Sequence, residues 1–422
     1  MDYKEALAYM AEVASLGSKP GLERITELLE KLGNPQDRLK YVHIAGTNGK
    51  GSCAAMMASV LKAAGYRTGL YTSPYLFRFN ERMQINGEQI EDEEVAALVE
   101  RLKPLADAME NKPTEFEMMT AAAFLWFAEK ECDIVVLEVG LGGRFDATNV
   151  INAPEVAVIM NIGLDHTAIL GDTVEQIAWE KAGILKPGCS CVLYQQQESV
   201  QAVIAAECEK LGAALHVADF GAIQCEFNVL EGQVFTYKQD PYAIALLGEH
   251  QQKNAAVVIE AAQVLRSRGW QIEQDQLEHG LYATAWPARF EVLSDDPYFV
   301  VDGGHNPQCA ETVVANLKTY FPDQHRVILI GVLADKDYPE LTKILNEAAD
   351  EYICVTPDSP RALSAEALAE HLKAYGKPVL ACADVPEAVH AAALAAGETG
   401  MVCAVGSLYM AGAIRACFNL YR

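Results

Sequence analysis

The stretch Val42 to Ser52, VHIAGTNGKGS, constrains this chain more than any other. Val42, Ile44 and Ala45 form a short apolar run that stops at Gly46, Gly49 and Gly51 follow, and a helix-compatible segment opens at Ser52 and runs through Met56, Met57, Val60 and Leu61 to Gly65. The order predicted is strand, glycine loop, helix. Glycines let a loop turn its N–H groups inward, and the first turn of a helix adds unpaired N–H groups of its own, so the segment can cradle phosphate oxygens. Lys50 would bring a point charge to the β- and γ-phosphates, with hydroxyls at Thr47 and Ser52 in reach of phosphate or Mg²⁺. The spacing departs from a Walker A loop, because Gly51 follows the lysine and the hydroxyl arrives one residue late at Ser52. A glycine-lysine pair alone is often an ordinary turn; the strand-to-helix setting selects nucleotide phosphate binding at Asn48, Gly49, Lys50, Gly51 and Ser52.

A chain of 422 residues exceeds what one core usually organises, so two domains are expected, divided at 285/286. The formal charge of −25 argues against nucleic acid and anionic membranes as partners, and makes any ATP site a local cationic exception. The 11 cysteines are scattered without a CxxC pair, which suits reduced thiols rather than a disulfide framework or a zinc site. The N-terminal segment is amphipathic and carries acidic residues, unlike a signal peptide, and no window approaches a membrane span; a cytoplasmic location is the expectation.

Helical spacing is expected over 3–13 and 22–32, separated by a breaker-rich loop at 15–21. Residues 73–89 mix aromatics, Arg78, Arg82 and an Asn86-Gly87 turn without clear periodicity, as functional loops do. An acidic amphipathic helix is expected over 91–108 and a strongly apolar one over 116–130. The run 134–139 then reads as a strand buried on both faces of a parallel sheet. With further strands and helices in alternation, the first domain is expected to be a P-loop-type parallel-sheet α/β domain. It carries a small antiparallel addition over 225–247 and closes with a helix over 249–268. After Trp286-Pro287 a fresh βα alternation predicts a smaller Rossmann-like α/β domain.

Several side chains stand where such folds place chemistry. Glu138 ends the buried strand, a position from which Asp and Glu often hold Mg²⁺, although a strand-end carboxylate can also be plain surface. His166 in NIGLDH reads equally as a structural hydrogen-bonder, since Mg²⁺ prefers oxygen. Lys181 reads as a helix C-terminal cation. Asp302 could take a ribose hydroxyl and Arg289 a phosphate charge, with ATP in a cleft between domains, or each could be a satisfied turn group.

The chain also resembles the folylpolyglutamate synthases, often bifunctional as dihydrofolate synthases, within the Mur ligase superfamily. The resemblance runs nearly end to end: HIAGTNGKGS, TSPYL at Thr72 to Leu76, NERMQING at Asn80 to Gly87, TEFEMMTAAAF at Thr114 to Phe124, EVGLGGRFDATN at Glu138 to Asn149, EKAGILKPG at Glu180 to Gly188, HQQKNA at His250 to Ala255, WPARFE at Trp286 to Glu291 and DGGHNP at Asp302 to Pro307. It implies ATP contacts from Asn48 to Ser52 and from Asn254, Arg289 and Asp302. It implies Mg²⁺ held by Ser73, Glu138 and His166, a second Mg²⁺, and admits K⁺ as a further cation. Lys181 matches the family's carbamylated lysine, N6-carboxylysine, which would turn an apparent cation into an oxygen ligand. Ser73, Pro74, Arg82, Thr114, Glu115, Phe116, Glu117 and Asp146 would line the folate pocket, and L-glutamate would bind near His305. Lys50, Lys181 and His305 form the implied catalytic set. The implied reaction activates a folate or dihydropteroate carboxylate as an acyl phosphate and joins it to L-glutamate in a monomeric enzyme. Three departures stand out: Tyr75 where the family usually has histidine, Ala288 where glycine is usual, and Gly303-Gly304 where Gly-Ala is commoner. A cell-wall Mur ligase and a nucleotide-binding P-loop protein without ligase activity are the alternatives.

Overall fold

The computed structural model describes residues 1–14 and 20–420; residues 15–19, within the expected breaker loop, and 421–422 lie outside the described residues. Two compact units emerge. One comprises Met1–Gln224, Tyr237–Tyr242 and Lys253–Thr284, and the other Cys225–Thr236, Ala243–Gln252 and Ala285–Arg422.

The first unit is built on eight strands: β1 (Tyr41–Ala45), β2 (Thr68–Tyr71), β3 (Met83–Ile85), β4 (Glu88–Gln89), β5 (Ile134–Glu138), β6 (Val156–Ile159), β7 (Ser190–Leu193) and β8 (Ala214–Val217). Across the sheet they lie in the order β4-β3-β2-β5-β1-β6-β7-β8. All pairs from β2 to β8 are parallel, which suits the unbroken burial of β1, β2, β5 and β6. The chain builds the β2 and β5 side first and then crosses to β6, so winding reverses at β1, where open α/β sheets place ligands beyond the strand ends. β3 and β4 pair antiparallel. Segment 73–89 is therefore more regular than its composition suggests. A 3₁₀ turn over Phe79–Arg82 feeds a hairpin whose tip, Asn86 (φ 52°) and Gly87 (φ 83°), has the two left-handed residues that an Asn-Gly turn supplies.

The helix Glu115–Glu129 is apolar nearly all round, so it is buried rather than surface-lying, packed with helices Tyr3–Ala14, Glu23–Lys31 and Asp92–Asp107 in one core. Behind Phe79 and Met83 that core holds a void of about 10 Å³ whose lining includes Met10, Met83, Met118 and Met119 beside Val95, Leu98 and Leu102. A second core joins β6 and β7 to helices Val174–Lys181 and Glu198–Leu211. The phosphate-loop helix, Lys50–Ala63, packs on β1, β2 and β5 and against Gln274–Tyr282. That helix pair is close: a Cβ on Gly280 would lie 2.4 Å from Val60 Cα.

β9 (Ile223–Val229), β10 (Gly232–Tyr237) and β11 (Asp240–Ile244) form a three-stranded meander. Most of it, with 245–252, groups with the second unit, whereas the expected division assigned all of it to the first. Side-chain anchoring accounts for this. Leu247 joins the second unit's core beside Phe290 and Phe321, and the Tyr320 hydroxyl accepts the Gly248 N–H at 3.0 Å and donates to Asn228. The second unit's own sheet contains β12 (Glu291–Asp295), β13 (Tyr298–Val301), β14 (Arg326–Ile330), β15 (Glu351–Cys354), β16 (Val379–Ala381) and β17 (Met401–Val405), ordered β12-β13-β17-β14-β15-β16. Only β12 runs antiparallel. No helix among the described residues is long and apolar enough to cross a membrane.

Candidate active site

The phosphate loop leaves the end of β1, and its glycines are required by what surrounds them. A Cβ on Gly46 would sit 2.6 Å from Met160 Cβ; Gly49, at φ 84°, is the N-cap of the helix that opens at Lys50. The same Gly49 faces Asn254, whose Oδ1 would lie 2.9 Å from an added Cβ, so the structure brings Asn254 to the loop. The loop is braced from β6. Thr47 N–H donates to Asn161 O at 2.7 Å, and the Thr47 hydroxyl donates to Gly163 O and accepts from Gly163 N–H, both at 3.1 Å. Lys50 Nζ folds back onto the carbonyls of Gly46 (3.0 Å) and Thr47 (3.2 Å). A second amine reaches the same oxygen: Lys181 Nζ donates to Gly46 O at 2.9 Å. Lys181 is buried, and desolvation, then the nearby Lys50 charge, pushes its pKa down to about 7. The plain helix-end cation of the sequence is thus a buried amine beside the phosphate cradle.

Glu138 is buried at the end of β5, in register with Ile44 of β1, and accepts the Ser73 N–H at 3.1 Å. Ser73 and Glu138 are therefore brought together. His166 follows β6 in a left-handed conformation (φ 52°), its side chain 42% exposed and its Nε2 3.9 Å from Asp165 Oδ1. No group of three His, Cys, Asp or Glu side chains among the described residues could hold a metal unaided.

Of the expected substrate residues, Thr114 is the N-cap of Glu115–Glu129 and Glu117 closes the capping box. The Glu117 carboxylate is engaged nearby: Thr114 N–H donates to Oε2 at 2.7 Å, Arg24 Nε to Oε2 at 3.0 Å, and Arg24 Nη2 lies 2.9 Å from Oε1. Glu117 is thus tied to both the helix start and Arg24. Arg24 went unassigned in the sequence, since its partner lies 93 residues away. Phe116 packs edge-on to the β5 exit, where a Cβ on Gly140 would come within 2.4 Å of its ring. Arg82 lies over the rings of Tyr75 (4.9 Å) and Phe79 (5.6 Å), which pack on each other at 6.3 Å, and 3.7 Å from Glu115. Pro74 is exposed beside Ser73, and Asp146 is buried beyond the β5 loop.

The second unit assembles Arg289, Asp302 and His305. Asp302, at the end of β13, accepts N–H bonds from Phe290 (2.8 Å) and Gly304 (2.7 Å); burial pushes its carboxyl pKa up while Arg289 opposes the shift. Arg289 Nη1 donates to Ala288 O at 2.8 Å, and Gly303 leaves room for it, since a Cβ there would lie 2.9 Å from Nη1. His305 Nδ1 is 3.2 Å from Gly303 O, which places the proton on Nδ1. The departures from the family pattern have local physics. Gly304 admits no Cβ, which would meet Cys309 Cβ at 2.8 Å, and Ala288 is held at φ 54°, a conformation natural to glycine.

Residues 44–262 match the family described as Mur ligase middle domain, and 288–408 match the Mur ligase glutamate ligase domain. The dihydrofolate synthase/folylpolyglutamate synthase of Bacillus subtilis is 38% identical over 427 residues, covering 98% of each chain, and the folylpolyglutamate synthase of Lacticaseibacillus casei is 38% identical with the same coverage. The chain belongs to the folylpolyglutamate/dihydrofolate synthase family of Mur ligases. Among solved structures, Mycobacterium tuberculosis folylpolyglutamate synthase complexed with ADP and AMPPCP superposes with a TM-score of 0.90 at 32% identity, covering 99% of both chains. E. coli FolC in complex with DHPP and ADP superposes at 0.86, with 29% identity and coverage of 98% and 97%. In this Mur ligase, Lys50, Glu138, Lys181 and Asn254 fall within the middle-domain match, and Arg289, Asp302 and His305 within the glutamate ligase match.

Proposed function

We propose that this Mur ligase joins L-glutamate to the γ-carboxylate of reduced folates and, as a second activity, to dihydropteroate, using ATP and an acyl phosphate. The observation that carries the reading is the braced phosphate loop with the buried, low-pKa amine of Lys181 hydrogen-bonded to Gly46, beside Glu138 and Ser73. Relatives named for both activities support it. Carboxylates do not condense with amines unaided in water, so one partner must be activated.

In this reading Asn48 to Ser52 and Asn254 hold the nucleotide, and the family's further nucleotide contacts are Arg289 and Asp302. Lys50 leaves the carbonyls of Gly46 and Thr47 for the phosphates, spreading charge as the substrate carboxylate attacks the γ-phosphorus and ADP departs. Ser73, Glu138 and His166 would hold Mg²⁺, with a second Mg²⁺ near Lys181 and K⁺ as a monovalent ion; bound there, the metals neutralise phosphate charge. A neutral Lys181 amine adds to CO₂ and loses a proton, giving a carbamate that presents oxygens. Glutamate's amine, held near His305, then attacks the acyl carbon and expels phosphate. Ser73, Pro74, Arg82, Thr114, Glu115, Phe116, Glu117 and Asp146 bind the folate. The enzyme works as a cytoplasmic monomer.

The test is ADP release with Mg²⁺ and L-glutamate, offering tetrahydrofolate or dihydropteroate. Release with both substrates is expected; release with tetrahydrofolate alone removes the second activity. Release with neither, but with a UDP-linked muropeptide precursor, would move the chain to the cell-wall branch.

A further inference from the structure

Arg144 sits in the loop that leaves β5 and meets the last turn of helix Val174–Lys181, whose final residue is the lysine at the phosphate loop. The closing carbonyls of a helix have no partner one turn further on, and they carry the negative end of its dipole. Arg144 takes two of them. Its N–H donates to Glu180 O at 2.9 Å and its Nη2 to Trp179 O at 3.0 Å, while Cζ lies over the Trp179 ring, 3.8 Å from the centroid. Nη2 also pairs with Glu207 of helix Glu198–Leu211 at 3.4 Å. The backbones are equally close. A Cβ on Gly143 would lie 2.9 Å from Glu180 O and one on Gly183 2.3 Å from Arg144 Cα. Asn149 Nδ2 spans the junction, donating to Arg144 O (3.1 Å) and Gly183 O (3.0 Å).

We infer that Arg144 is a positioning residue for Lys181: by clamping the turn that carries the lysine, it sets where that side chain meets the phosphate loop. Trp179 and Glu180 immediately precede Lys181, so holding their carbonyls fixes the direction in which the next side chain leaves the backbone. From there Nζ reaches Gly46 O at 2.9 Å. A carbonyl bond, a ring stack and an ion pair made at once call for a planar fork of donors, which arginine supplies and lysine does not. A carbamate on a lysine persists only where its surroundings hold it, so a Lys181 free to swing away would lose CO₂ as well as its place. The inference rests on the carbamate reading of Lys181 proposed above.

Steady-state kinetics with and without added bicarbonate, alongside native mass spectrometry of the full chain, test it. Arg144→Leu keeps the backbone bond to Glu180 and loses the side-chain contacts. In air-equilibrated buffer it is expected to carry less CO₂ than the unaltered enzyme and to lose about tenfold in kcat, since a misplacement of about 1 Å can cost about 10²-fold. Saturating bicarbonate should recover most of that loss while changing the unaltered enzyme little, a response that a general loosening of the fold would not give. Arg144→Lys should fall between the two. Glu207→Gln frees the far side of the guanidinium without touching the helix end, and should show the same bicarbonate-dependent loss at about threefold, the scale of a partly exposed ion pair; it decides the matter should Arg144→Leu fold poorly. Full CO₂ occupancy with unchanged kcat in both variants, or a loss of kcat that bicarbonate does not relieve, would overturn the clamp and leave the carbamate reading standing. An unaltered enzyme that carries no CO₂, with Lys181→Arg retaining full kcat, would remove both.

Discussion

At the residue scale, the two lysines at Gly46 differ in kind. Lys50 was legible in the sequence because its neighbours on either side are glycines in a strand-to-helix setting; Lys181 was legible only through the family resemblance, because nothing local announces that its helix end is buried against a loop 135 residues earlier. Its depressed pKa has a defined sign. Between about 7 and the ordinary 10.5 the unfolded chain holds a proton that the folded chain lacks, so the destabilisation from burying this amine is full below about 7 and fades as pH rises towards 10.5. Only the free base adds CO₂. Stripped of bicarbonate and then resupplied, the enzyme should gain one CO₂ per chain faster as pH rises through about 7, as native mass spectrometry would show, with Lys181→Arg gaining none. Ala288 is the converse case, a residue whose neighbours fix a shape it dislikes: its N–H is bonded to Glu291 and its carbonyl accepts from Gly303 and Arg289. Ala288→Gly should relieve left-handed strain and raise stability by about 1 kcal/mol in denaturant titrations.

At the scale of elements, hydrophobic patterning gave most of the helices and the long buried strands, because burial imposes period and length. Edge and capping features were harder to read. β3, β4 and β12 are short and polar on one side, so they look like loops until a neighbouring strand supplies their partners. In TEFE a capping box and a binding motif share the same letters, and the pairing of Glu117 with Arg24, distant in sequence, was not legible there. Gly280 is a further example, silent in the sequence yet set against the Val60 backbone. Gly280→Ala should force the two helices apart and cost about 2 kcal/mol in chemical denaturation, with a rise in the KM for ATP because one of those helices begins at Lys50.

At the scale of the whole molecule, the 58 acidic against 33 basic residues set a background that no single contact reveals. Self-repulsion opposes compactness and salt screens it. Raising KCl from about 20 mM to about 300 mM in the absence of nucleotide should therefore raise the Tm by about 2 °C or more in calorimetry. The two-unit organisation followed from length and from renewed βα alternation. What composition could not show was that part of the 225–252 segment packs with the second unit, since Leu247 and Gly248 declare their allegiance only through Tyr320, Phe290 and Phe321.

The small void behind Phe79 and Met83, where four methionines meet, leaves the wall that carries Arg82 room to yield. Thioethers slide into empty volume with little penalty, so under hydrostatic pressure this corner should give before the sheet does.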